Sequence, residues 1–249
     1  MSFMSWLPSA FKDLLKHVPT IIFEVVSWNA LMKDAALLSK RLLTREGADN
    51  ARQDVTPHLP SGVSFVTFAP TLPATPESRQ MLGEKILAVY FKQLTRPGAM
   101  FLDLRLSGFG IADNHVVWNP TSLWGEFSPG FVEGLGDLYA GFYGLDNARF
   151  ERGLEKSGLI QASWPAADRD RMATLFRAHF GQALDAPMKF RLATFQQSFQ
   201  AVFTFLLEKK VHLTTDFLLL GVMLVTLYLS LEELDGEYPV AAIYKASAT

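Results

Sequence analysis

Apolar positions recur at helical spacing over residues 83–94. Ile86, Leu87, Val89, Tyr90, Phe91 and Leu94 form a broad face, with Glu84, Lys85, Lys92 and Gln93 opposite. The pattern predicts a helix that begins near Glu77 and stops at Arg96-Pro97-Gly98, where proline cannot donate and glycine tolerates the turn. Residues 100–106 alternate instead, as a short strand or buried loop does. Asp113-Asn114 then separates two β-prone runs, the second being His115-Val116-Val117-Trp118, which predicts a small hairpin.

Upstream, residues 28–43 are rich in alanine and leucine with Lys40-Arg41 late, as a helix prefers. Residues 47–61 are polar and turn-rich and read as a surface connection. Residues 63–68 are β-branched and aromatic and read as a strand, followed by a proline-rich linker over 70–76. Downstream, aromatics at near-helical spacing over 129–145 precede an amphipathic helix over 147–159. Helices over 168–180, 188–207 and 216–234 complete a helical half. The fold class expected is mainly α with a small β component.

The most apolar stretch, residues 217–231, holds fifteen residues without a charge. A bilayer needs about 20, and no Lys or Arg flanks the stretch, so it reads as buried core and no transmembrane span is expected. The N-terminus lacks a basic region ahead of its apolar part, which argues against a signal peptide. Residues 1–27 read as a segment docked on the domain formed by 28–249. An interfacial membrane helix is the alternative, so peripheral membrane contact stays open.

Composition narrows the chemistry. Of 249 residues, 49% are hydrophobic, which supports a sizeable core; the net charge of −2 offers no basic footprint, so no nucleic-acid partner is expected. There is no cysteine, so disulfides and thiolate metal sites are excluded; a cytoplasmic location is compatible. The five histidines, His17, His58, His115, His179 and His212, lack ligand spacing, and no metal or other cofactor is expected. Ser107-Gly108-Phe109-Gly110 is neither a nucleophile elbow nor a dinucleotide fingerprint.

At residues 83–125 the order of a helix, a loop, a hairpin and a second loop resembles the UbiB/AarF family of atypical kinases, the ubiquinone-biosynthesis type. Its members carry an F-H-A-D-x-H-P-G-N catalytic loop and then a D-F-G metal motif. Laid without gaps, Phe101 and Gly108 match. The first histidine becomes Leu102, the catalytic aspartate Leu104, the second histidine Leu106 and the metal-binding asparagine Phe109. Asn119-Pro120-Thr121 stands in place of D-F-G. Residues 28–43 resemble the family's E-x-D-x-R-x-E-A-A-N helix, with Trp28 and Ala30 at the two acids. No K-x-G-Q motif or phosphate loop precedes Trp28.

The resemblance therefore implies a degenerate protein-kinase-like C-lobe with its N-lobe largely missing. It implies a non-catalytic pseudokinase acting as an accessory or binding protein, with a lipid or isoprenoid quinone, or a protein, as partner. It places the chain in the cytoplasm, either free or peripheral at the inner face of the membrane. The acid beside the lost catalytic position is Asp103, the one weak catalytic candidate; as a strand neighbour it reads better as a structural hydrogen-bonding group. A residual ATPase would use Asp103 and Asn119, although a neutral amide is a poorer Mg²⁺ ligand than a carboxylate. A purely structural subunit is a third reading. Trp118, Trp124, Phe127 and Phe131 either pack beneath the loop or line an apolar ligand cavity.

Overall fold

A computed structural model describes residues 16, 21–25, 45–94, 96–181, 184 and 186–248. The expected helix over 28–43 and most of the expected docking segment lie outside the described residues. Of that segment, α1 (Ile22–Val25) buries Ile22 and Val25, and the Val25 carbonyl accepts from Leu213 N at 3.0 Å.

The fold is mainly helical with a small sheet component. Residues 47–61, expected as a surface connection, instead contain α2 (Arg45–Val55) and a 3-10 turn, Thr56–His58. Ala51 and Val55, four residues apart, are buried on one face of α2, and tertiary burial outweighs the local turn preference of its Gly, Asp and Asn residues. The strand expected over 63–68 is shorter, β1 (Val63–Phe65), and Phe68 is exposed.

Helix α3 (Pro76–Leu94) starts at a proline whose missing N–H costs nothing at that position, and Thr75 Oγ1 accepts from Ser78 N at 3.2 Å. Gln93, placed on the polar face by pattern, is buried. Its Oε1 accepts from Phe101 N at 2.7 Å. A buried amide needs a partner, and the backbone of β2 (Ala99–Phe101) supplies one.

Strand β2 pairs antiparallel with β5 (Trp124–Glu126). Strands β3 (Phe109–Ala112) and β4 (His115–Trp118) form the expected hairpin, and β1 joins β4 in parallel. Asp113 and Asn114 both take positive φ, 48° and 65°, the conformation that a two-residue hairpin turn demands.

After β5, α4 (Pro129–Tyr143) and α5 (Asn147–Lys156) pack as a tight helical hairpin. A Cβ on Gly141 would sit 2.2 Å from Phe150 N, and one on Gly153 2.3 Å from Leu138 N, so the glycines set the separation. Asp146 caps α5 by accepting from Arg149 N at 2.9 Å. Helices α6 (Ala166–Phe180) and α7 (Leu192–Glu208) follow. The latter begins later than the pattern suggested, because Met188 exchanges backbone hydrogen bonds with Tyr238, each 3.0 Å.

Helix α8 (Thr215–Leu234) is the apolar stretch, and α9 (Val240–Ser247) packs on α3. Helix α8 spans 20 residues, close to the expected 216–234, and although its uncharged core is only the fifteen residues 217–231, the whole helix is by length and composition alone sufficient to cross a membrane. Its most apolar window is 83% buried within the protein, which is how a core helix behaves.

Candidate functional site

The loop between β2 and β3 lies inside the protein. Leu102 and Leu104 are fully buried, Leu106 and Phe109 nearly or wholly so, and Trp118 stacks on Phe109 with ring centroids 5.0 Å apart. Phe65 and Phe101 complete this aromatic cluster at 5.2 and 5.5 Å from Trp118. The loop backbone is fastened to α8. Leu104 N donates to Thr226 Oγ1 at 3.0 Å, Thr226 Oγ1 reaches Leu102 O at 3.0 Å, and Ser230 Oγ donates to Leu104 O at 2.7 Å. The hydroxyls of an otherwise apolar helix thus satisfy peptide groups that water cannot reach.

Asp103 is buried, and its carboxylate is occupied. Arg105 Nε and Nη2 donate to it at 2.8 and 2.6 Å, Arg105 N at 3.1 Å and Thr121 Oγ1 at 3.2 Å. A bidentate guanidinium holds both oxygens, leaving little lone-pair capacity for a substrate proton or a cation. Asn119 is equally engaged. Its Oδ1 accepts from Arg52 Nη2 at 2.8 Å and its Nδ2 donates to Phe68 O at 3.1 Å. Arg52 also donates to Val66 O at 3.1 Å, so Asn119 ties α2 to the segment after β1. Trp118 and Trp124 are buried, as are Phe127 and Phe131; all pack the core around the loop. Among the described residues, no group of three or more His, Cys, Asp or Glu is placed to hold a metal ion.

A second place, to which residue patterning gave no pointer, lies between α3, α4, α6 and α8. It is a cavity of about 40 Å³, partly open to solvent, with Tyr90, Tyr139, Tyr143, Tyr228, His179 and Phe180 among its walls. All six tyrosines of the chain are buried, and four of them meet here. Tyr90 and Tyr139 share a hydrogen bond of 2.6 Å. Burial raises the phenol pKa of Tyr143 and of Tyr228 well above the usual range, and neither hydroxyl has a hydrogen-bond partner among the described residues.

His179 Nδ1 lies 2.8 Å from Ser198 Oγ, which itself donates to Phe195 O at 2.9 Å. With the serine proton committed, the imidazole donates through Nδ1 and keeps Nε2 as an acceptor. Desolvation beneath Phe195 and Phe199 pushes its pKa down to about 4, so the ring is neutral at physiological pH. The sequence signal was faint: Tyr139 and Tyr143 sit one turn apart on α4, but Tyr90, His179 and Tyr228 arrive from other helices.

A surface groove of about 450 Å³ runs between α3 and α9, flanked by Glu84, Lys85 and Lys92. Lys85 Nζ is tied to Ser61 O at 2.7 Å. No family model matches the chain, and no curated protein matches it.

Proposed function

We propose that this chain is a non-catalytic, pseudokinase-like binding protein on a UbiB/AarF-type C-lobe frame. It serves as an accessory protein for a lipid-related pathway, in the cytoplasm or peripheral at the inner face of the membrane. One observation carries the reading. The loop that resembles a catalytic loop is filled by Leu102, Leu104, Leu106 and Phe109, all buried, and its acid, Asp103, is consumed by Arg105 and Thr121. Phosphoryl transfer requires metal-held phosphates and a carboxylate near the nucleophile. A desolvated leucine-rich loop disfavours a polyanion and supplies neither. The β2–β5 pair and the β3–β4 hairpin that bracket this loop support the kinase-like reading of the frame.

Native mass spectrometry of the purified chain with and without Mg-ATP tests the proposal. The expected result is the same mass in both samples. A Mg-dependent nucleotide adduct that disappears in Asp103→Ala would overturn it and restore Asp103 and Asn119 as working residues.

A further inference from the structure

Residues 59–76 hold no charged side chain, and Pro70, Pro73 and Pro76 fall among them. The large hydrophobic residues exposed among the described ones are Phe68 at 55%, Leu72 at 40% and Leu145; the first two share this run. One exposed apolar side chain is ordinary, but two within five residues of an uncharged run form a patch.

The backbone beneath the patch is pinned along its length. Val66 N donates to Trp118 O at 2.9 Å, and Val66 O accepts from Arg52 Nη1 at 3.1 Å. Phe68 O accepts from Asn119 Nδ2 at 3.1 Å, and Thr71 O from Ile111 N at 3.2 Å. Thr75 O accepts from Arg79 N at 3.0 Å, where α3 takes over. A Cβ on Gly110 would sit 2.4 Å from Thr71 O and 2.7 Å from Pro70 Cβ, so the segment lies tight on β3. Proline fixes its own φ and restricts the residue before it, which leaves Ala69, Pro70, Leu72, Pro73 and Thr75 little freedom. Phe68 and Leu72 are thus held in solvent by a rigid support.

Size and chemistry select what the patch meets. A fully exposed aromatic side chain offers about 150–250 Å², so the two half-exposed residues offer on the order of 200 Å², against about 800 Å² per partner in a stable protein interface. A second copy of the chain falls short by the same measure. A groove that reads prolines needs their free face, but Pro70 and Pro73 are half-buried and Thr71 O is engaged. A lipid surface asks for less: apolar side chains, no charge to desolvate and few unmatched backbone groups. The prolines bring no N–H, and the carbonyls of Val66, Phe68, Thr71 and Thr75 already have donors. Arg52 and Arg79 at the ends are offset by Glu77, which follows the run, and Asp113, two residues beyond Ile111. That balance fits a zwitterionic surface better than an anionic one.

We propose that residues 66–75 form a membrane-contact loop, with Phe68 and Leu72 entering the interface of a zwitterionic bilayer. Two side chains give weak, reversible attachment, as a single acyl anchor does. The loop deepens the reading of the chain as peripheral at a membrane and rests on it.

The experiment sediments the full chain with phosphatidylcholine vesicles, with and without phosphatidylglycerol. The expected result is partition that added salt leaves unchanged and that phosphatidylglycerol alters less than about twofold. Phe68→Ser should weaken partition about tenfold and Leu72→Ser about threefold. Both residues are exposed, so both variants should unfold at the wild-type temperature. Because the chain has no cysteine, Ala69→Cys accepts a single environment-sensitive fluorophore, whose emission should move to the blue when vesicles are added. Partition indifferent to both serine variants would overturn the loop and leave a peripheral location standing on another element. No partition at all would overturn the loop and the peripheral location together, without touching the nucleotide result. A dimer that Phe68→Ser dissolves would assign the patch to a second copy and likewise overturn the proposal.

Discussion

Helix α8 has two faces that treat polar groups in opposite ways. Toward the 102–104 loop it presents Thr226 and Ser230, one turn apart, and every hydroxyl meets a peptide partner. Toward the cavity it presents Leu224, Leu227 and Tyr228, and there the phenols of Tyr143 and Tyr228 have no partner among the described residues while space remains. The loop side is closed: the hydroxyls that α8 sends there are matched and the leucines of the loop are buried, and only the indole N–H of Trp118 and of Trp124 nearby is buried without a partner among the described residues. The cavity side retains unused hydrogen-bonding capacity. Saturated groups hold a fold together, whereas unsaturated ones beside a void can answer to something from outside.

Breaking the loop side should give the largest effect. Thr226→Val combined with Ser230→Ala leaves the Leu104 N–H and C=O buried without partners, and the expected loss is about 3–4 kcal/mol of unfolding free energy. Chemical denaturation measures it; a loss below 1 kcal/mol would mean that water or a shifted loop replaces the hydroxyls.

The cavity side should show itself through pH. Burial holds the folded His179 pKa at about 4, below its ordinary 6.5, so the unfolded chain takes the proton first as pH falls. The associated stability is intact above about pH 6.5 and declines as pH falls through 4, by roughly 2–3 kcal/mol at the lower end. Asp54, held low by the Ala99 N–H and Arg96, and Asp137 and Asp235, held low by arginine and lysine partners, also lose stability in acid. The diagnostic quantity is therefore the difference between wild type and His179→Leu in denaturation series from pH 7 to pH 4. Parallel curves would show that the imidazole is not desolvated.

The finest test contrasts two phenols of the same cavity. Tyr90→Phe removes a buried hydrogen bond to Tyr139 and should cost about 1 kcal/mol, whereas Tyr228→Phe removes a hydroxyl without a partner among the described residues and should cost less than about 0.5 kcal/mol. Thermal unfolding of the pair measures the contrast, and equal losses would show that Tyr228 has a partner in solution.

Local chemistry was legible where it decides structure alone. Asp113-Asn114 tolerates positive φ and so announces the hairpin, and the amphipathic spacing after residue 147 announces α5. Gly47, Asp49 and Asn50 suggested a turn, yet α2 forms there because Ala51 and Val55 bury together, a gain that only the rest of the fold supplies. Gln93 looked solvent-facing until Phe101 offered its N–H. At the candidate site the apolar character of Leu102, Leu104, Leu106 and Phe109 was visible in the residues themselves. The partners of Asp103 were half visible, since Arg105 is two positions away but Thr121 is eighteen. The cavity was not visible, because its walls come from separate helices and its character depends on hydroxyls left unmatched after packing.

The bonds from Thr226 and Ser230 to the loop span 122 to 126 residues of chain. During synthesis at about 5–20 residues per second, the 102–104 loop emerges roughly 6–24 seconds before the hydroxyls that complete it. For that interval the leucines of the loop lack α8 to pack on, and the Leu102 carbonyl and the Leu104 peptide groups lack the hydroxyls that later match them. The first half of the chain is therefore an unfinished surface rather than an independent folding unit, and a fragment ending before α8 should depend on chaperones or aggregate. A protein with this wiring becomes native late and all together, and its C-terminal third decides whether its middle ever closes.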